Sequence, residues 1–90
     1  MTLFSNDRSA QAREAIAPLK KKAEAAEAKL DELGTILIKL DEALADPNLY
    51  KNPARMAKLN KERAALTDAM ETTEQRWLEA LEAYEAAQDA

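Results

Sequence analysis

The segment ALADPNLYKNPARMAKL, residues 43–59, is the place in the 90-residue chain where a helical pattern stops and starts again. Within it Asp46 precedes Pro47 and Asn52 precedes Pro53. The side-chain oxygen of Asp or Asn accepts from the free N–H groups of a first helical turn, and proline lacks an N–H that would otherwise go unsatisfied there, so each pair marks a helix start. The spacing predicts a short turn opened by Asp46 and a long helix opened by Asn52. Two long helices joined across residues 46–52 must lie side by side and antiparallel.

Working outward, the apolar rhythm says which residues face each other. Before the turn, Ile16, Leu19, Ala23, Ala26, Leu30, Leu33, Leu37, Leu40 and Leu44 recur at alternating steps of three and four, the seam of a coiled coil. After it, Met56, Leu59, Arg63, Leu66, Met70, Thr73, Trp77, Ala80 or Leu81, and Tyr84 keep the rhythm, with Arg63 and Thr73 as polar interruptions and Leu78 as a sign of drift. A bend near Tyr50 sets Leu44 beside Met56, Leu33 beside Leu66, Leu30 beside Met70, and Ala23 and Ala26 across from Thr73 and Trp77. An indole against two methyl side chains is the large-on-small match that keeps a seam tight, which places Trp77 in the core. Twenty alanines, one glycine and three prolines agree with an all-helical chain. Pro18 removes a backbone bond and clashes with the preceding turn, so the first helix is expected to kink there or to end near Ala17 and restart. The expected fold is therefore all-α: an antiparallel two-helix coiled-coil hairpin over 18–88 (helix 18–45, turn 46–52, helix 53–88). A short helical approach segment over 9–17 and a disordered tail over 1–8, where Leu3 and Phe4 have no periodic partners, precede it.

Composition removes several functions. With no cysteine and no histidine there is no disulfide framework, cysteine nucleophile or conventional zinc site. Ser5 and Ser9 have no neighbouring base, and the only glycine, Gly34, cannot build a phosphate-cradling loop. Adjacent carboxylates such as Asp31-Glu32 and Asp41-Glu42 point in different directions on a helix and read as solvated surface. No catalytic, metal or cofactor-binding residue is expected, and the chain is read as non-enzymatic. No apolar run exceeds three residues, as in Ile36-Leu37-Ile38, so no membrane span is expected, and MTLFSNDR is too polar for a secretory signal; a cytoplasmic chain is the default.

The charge pattern is more informative than the total of -4. Lys51 to Arg63 carries five basic residues and one acidic, whereas Ala64 to Ala90 carries one basic and seven acidic. This opposes the helix dipole, because bases crowd the positive N-terminal end of the second helix and Glu82, Glu85 and Asp89 crowd its negative end. Lys20-Lys21-Lys22 across the hairpin from Glu79 and Glu82 would compensate the acidic end. The basic end keeps Lys51, Arg55, Lys58 and Lys61 as a stripe beside the seam, next to Tyr50; phosphate-binding surfaces mix such residues, although Tyr50 and Leu49 closing the end of the core is the plainer reading. Arg63 is expected to lay its stem along Leu37 and reach Asp41. Ile36 and Ile38 widen the apolar face near the tip and could receive Leu49 and Tyr50 or mark a partner contact.

Taken together, LDEALADPNLYKNPARMAKLNKERAAL followed by EQRWLEALEAY resembles the C-terminal domain of the ABC-F proteins, the soluble duplicated-cassette ATPases of the ABC superfamily that include Uup. The resemblance rests on Leu44, Asp46, Pro47, Leu49 and Tyr50 of an L-x-D-P-x-L-Y turn, on Pro53 opening the second helix, and on Glu74 and Trp77 of a closing Glu-x-x-Trp. The Ala17-Pro18-Leu19 stretch with its lysine run is a further point of likeness. It implies a fragment of a longer protein, with ATP and Mg²⁺ held by parent cassettes and no cofactor in this chain. It also implies DNA, or ribosomal RNA and the ribosome, as partner, contacted through Tyr50, Lys51, Arg55, Lys58, Lys61 and Lys20, Lys21 and Lys22. The isolated domain is expected to be monomeric. The alternative is a protein-interaction or self-association coiled coil that uses Ile36, Ile38 and the alanine faces.

Overall fold

The computed structural model describes residues 2–89, with side chains over 13–89. Helix α1 spans Thr2–Leu44, a single 3₁₀ turn covers Leu49–Lys51, and helix α2 spans Pro53–Asp89. The helices pack antiparallel into a rod of 76 × 15 × 14 Å, as expected of an all-α hairpin.

The apolar rhythm of the sequence becomes the line of contact. Each residue of the two predicted rows, from Ile16 to Leu44 and from Met56 to Tyr84, is buried or half-buried, and most of the residues between them are exposed. The best-shielded are Ala23, Leu33, Leu59, Leu66 and Ala80, with Leu49 closing the tip. Burial of each leucine contributes roughly 1.5–3 kcal/mol. A two-helix rod has a core one side chain deep, so only small or central residues are covered on all sides. Ala80, 4% exposed, is the extreme case, while the larger Trp77 reaches past the shielded axis and is half-buried, a less enclosed place than expected. Thr73 can occupy the seam because its hydroxyl donates to the carbonyl of Ala69 at 2.7 Å, within its own helix.

The sequence divides the first half at Pro18 into a tail over 1–8, a segment over 9–17 and a seam helix. The structure instead carries α1 without interruption from Thr2, with Pro18 inside it. A proline at 18 costs the helix the bond its N–H would have made to the Glu14 carbonyl. Pro18 and Glu14 both lie on the exposed side, where water can take up that carbonyl and the helix can bend slightly rather than break. The side chains of Leu3 and Phe4, expected to lack partners, lie outside the described residues.

Candidate nucleic-acid interface at the hairpin tip

The reversal of chain direction is built from two side-chain caps. Helix α1 closes with the Ala45 amide donating to the Asp41 carbonyl at 3.0 Å. The Asp46 carboxylate then accepts from the Asn48 amide, and its carbonyl accepts from Leu49, both at 3.0 Å, which starts the 3₁₀ turn. That turn ends with the Asn52 amide donating to Leu49 at 2.9 Å. Asn52 opens α2: its side-chain oxygen accepts from the Arg55 amide at 3.2 Å and its carbonyl from Met56 at 3.0 Å. Both caps are the ones the two Asx-Pro pairs predict.

Within this frame Leu49 and Tyr50 part company. Leu49, 5% exposed, plugs the end of the core, and Tyr50, 69% exposed, points away from it. Successive residues of a tight 3₁₀ turn face about 120° apart, so one side chain inward requires the next outward. The plainer reading, in which both residues close the core, therefore holds for Leu49 and fails for Tyr50.

Charge at the tip is equally divided in role. Arg63 donates from Nε to Asp41 Oδ1 at 2.7 Å across the two helices, as the register predicts. That hydrogen bond first, and the Asp41 charge second, raise the Arg63 pKa above its ordinary value, so this guanidinium is already occupied by a carboxylate, in a pair open to solvent. Lys51, Arg55, Lys58 and Lys61 are exposed and take part in no ion pair among the described residues. The first turn of α2 contains no acidic residue, so its free N–H groups add partial positive charge to the same end. The arrangement can hold phosphate oxygens along one side of α2, with the Tyr50 ring beside them for stacking.

Of the expected site residues, the structure brings Tyr50, Lys51, Arg55, Lys58 and Lys61 together at the tip. Lys20, Lys21 and Lys22 are not with them: Lys22 and Leu44 are separated along α1 by roughly 33 Å at 1.5 Å per residue. Lys20 approaches Glu24 of its own helix at 4.0 Å rather than reaching Glu79 or Glu82, and Lys22 lines a hollow with Glu79. Arg76, which lines that hollow too, carries no motif in the sequence; only its helical spacing with Ala80 and Ala83 could have pointed to it. Ile36 and Ile38 are 41% and 61% exposed and do not receive Tyr50.

No helix among the described residues is long and apolar enough to cross a membrane. Comparison with known proteins yields no match among curated proteins and none among solved structures. The family model described as the ABC transporter C-terminal domain matches residues 17–83, which takes in both seam rows almost entirely, the capped turn and the basic stripe. With most of its length matched, the chain belongs to the ABC transporter C-terminal domain family.

Proposed function

We propose that this domain is the non-catalytic C-terminal arm of an ABC-F type, Uup-like ATPase, and that its tip binds nucleic acid, DNA or ribosomal RNA. ATP and Mg²⁺ would belong to the cassettes of the parent protein, and the setting would be the cytoplasm. The ABC-F assignment is supported by the turn through Leu44, Asp46, Pro47, Leu49 and Tyr50 and by the Glu74–Trp77 pair. One observation carries the binding role: four exposed cations and an exposed tyrosine gather at the tip without ion-pair partners among the described residues, while Arg63 beside them is paired. Four phosphate contacts would give a slope of about -3 to -4 in log affinity against log salt.

The experiment is a chemical-shift titration with duplex DNA and with structured RNA at two salt concentrations, repeated on the variant Lys51→Glu, Arg55→Glu, Lys58→Glu, Lys61→Glu. The expected result is salt-sensitive shifts at Tyr50 and the four cations, abolished in the variant, with a nearly unchanged melting point because all four side chains are exposed. Equal binding by the variant refutes the assignment. The 41% and 61% exposure of Ile36 and Ile38 favours a second reading, a protein-interaction or self-association module. Sedimentation at high concentration tests its self-association form, a monomer arguing against it.

A further inference from the structure

At the end of the rod away from the tip, two hollows open between the helices. The larger, about 340 Å³, is bounded by Leu19, Ala80 and Ala83 with Lys22, Arg76 and Glu79 at its rim. The other, about 290 Å³, is bounded by Ala25, Ala26 and Thr73 with Lys22, Lys29 and Arg76. Lys22 and Arg76 border both, so the hollows form one groove that follows the seam from Leu19 to Lys29, about 15 Å of helix. Alanine makes up most of its floor, which would let another helix come close to both backbones.

Its rim, like the tip, is positive in a chain that is acidic as a whole. Three cations and one carboxylate border the groove in a protein of net charge -4. Lys29 is paired with Glu32 at 3.4 Å, but Lys22 and Arg76 enter no ion pair among the described residues. They stand on opposite banks, Lys22 on α1 and Arg76 on α2, with stems that can lie along the alanines and charged heads at the edge.

From this charge complementarity we infer that the groove docks an acidic amphipathic helix of a partner protein, completing a three-helix bundle. The floor takes a stripe of small or medium apolar side chains. Carboxylates on the two edges of that stripe meet Lys22 on one bank and Arg76 on the other, as flanking charges do in coiled coils. A sugar-phosphate backbone would satisfy the cations and leave the methyl floor bare, which separates this groove in chemistry and in place from the tip.

The test is a chemical-shift titration of the full chain with a model peptide of three heptads, leucine or alanine on its apolar stripe and glutamate on both edges, beside a control with lysine at the edges. The acidic peptide is expected to shift Lys22, Ala25, Ala26, Thr73, Arg76 and Ala80, and the control to leave them in place. Lys22→Glu with Arg76→Glu should weaken binding at least tenfold. The milder Lys22→Gln with Arg76→Gln should weaken it several-fold with an unchanged melting curve. Equal binding of both peptides, or binding indifferent to these substitutions, overturns the inference. So do DNA- or RNA-induced shifts centred on Lys22 and Arg76, or a self-association that the same substitutions remove. The tip reading is judged by the Lys51, Arg55, Lys58 and Lys61 variant, so either can fail alone.

Discussion

The seam can be tested by shortening the leucines at its centre. Leu33 and Leu66 are both shielded, at 7% and 9% exposure, and the register predicted from the apolar rhythm sets them against each other. Leu33→Ala deletes three buried carbons. At about 0.8 kcal/mol for each buried methylene-sized group the transfer loss is about 2.4 kcal/mol. The cavity contribution should be small, because a gap in a rod this thin opens to water, so the total belongs at the low end of the 2–5 kcal/mol seen for such truncations. For a chain of this size that loss lowers the melting temperature by about 10–20 °C. The assay is thermal and urea unfolding followed by helical circular dichroism for Leu33→Ala, Leu66→Ala, the double variant, and Leu33→Ala combined with Leu59→Ala. Leu33 and Leu66 should couple by more than about 0.5 kcal/mol, whereas Leu33 and Leu59, about two turns off register, should be additive. Single losses below about 1 kcal/mol, or coupling to Leu59 in place of Leu66, would show that the helices are not in this register.

Three smaller changes probe other parts of the argument. Trp77→Ala should cost about 3 kcal/mol by urea unfolding, at the low end for a large aromatic because the ring is half-buried; a melting curve left in place would deny the indole its seam position. Asn52→Ala removes the acceptor for the Arg55 amide and should cost about 1 kcal/mol, whereas Asn52→Asp should cost far less; equal losses would mean that the cap is not the cause. A methyl built on Gly34 would meet nothing within 4 Å and the backbone there has no positive φ, so Gly34→Ala should stabilise α1 by about 0.5–1 kcal/mol; destabilisation would reveal a close approach at this position.

The parts of this fold that could be read from sequence were those with a local or periodic cause. The two Asx-Pro pairs dictate hydrogen bonds within three or four residues, and both caps formed as expected. The steps of three and four put every seam residue on the covered side, and the register was good enough to predict the pairing of Arg63 with Asp41 across the hairpin. Depth of burial was less legible. Nothing in the sequence says that a two-helix core is too shallow to enclose Trp77, or that Leu49 turns inward and Tyr50 outward. At Pro18, local stereochemistry suggested a break, and exposure on the solvent side made a continuous helix tolerable. Lys20 illustrates the same limit. Its charge called for a partner, but Glu24 one turn along its own helix was nearer than a carboxylate across the seam. Arg76 bears no signal in isolation and gains one only when the fold sets it opposite Lys22.

The slenderness of the rod has a mechanical consequence. Helix α1 runs most of its 76 Å and the 37 residues of α2, about 56 Å, roughly three-quarters, and the thickness is only 15 Å, so any rotation imposed at the end opposite Tyr50 is magnified into a sweep at that tyrosine. Such a lever transmits motion only as far as it resists bending, and its stiffness rests on the leucine contacts along the seam. Weakening the middle of the seam should therefore soften the stroke before it unravels the chain, and the tip would lose its aim while keeping its charge.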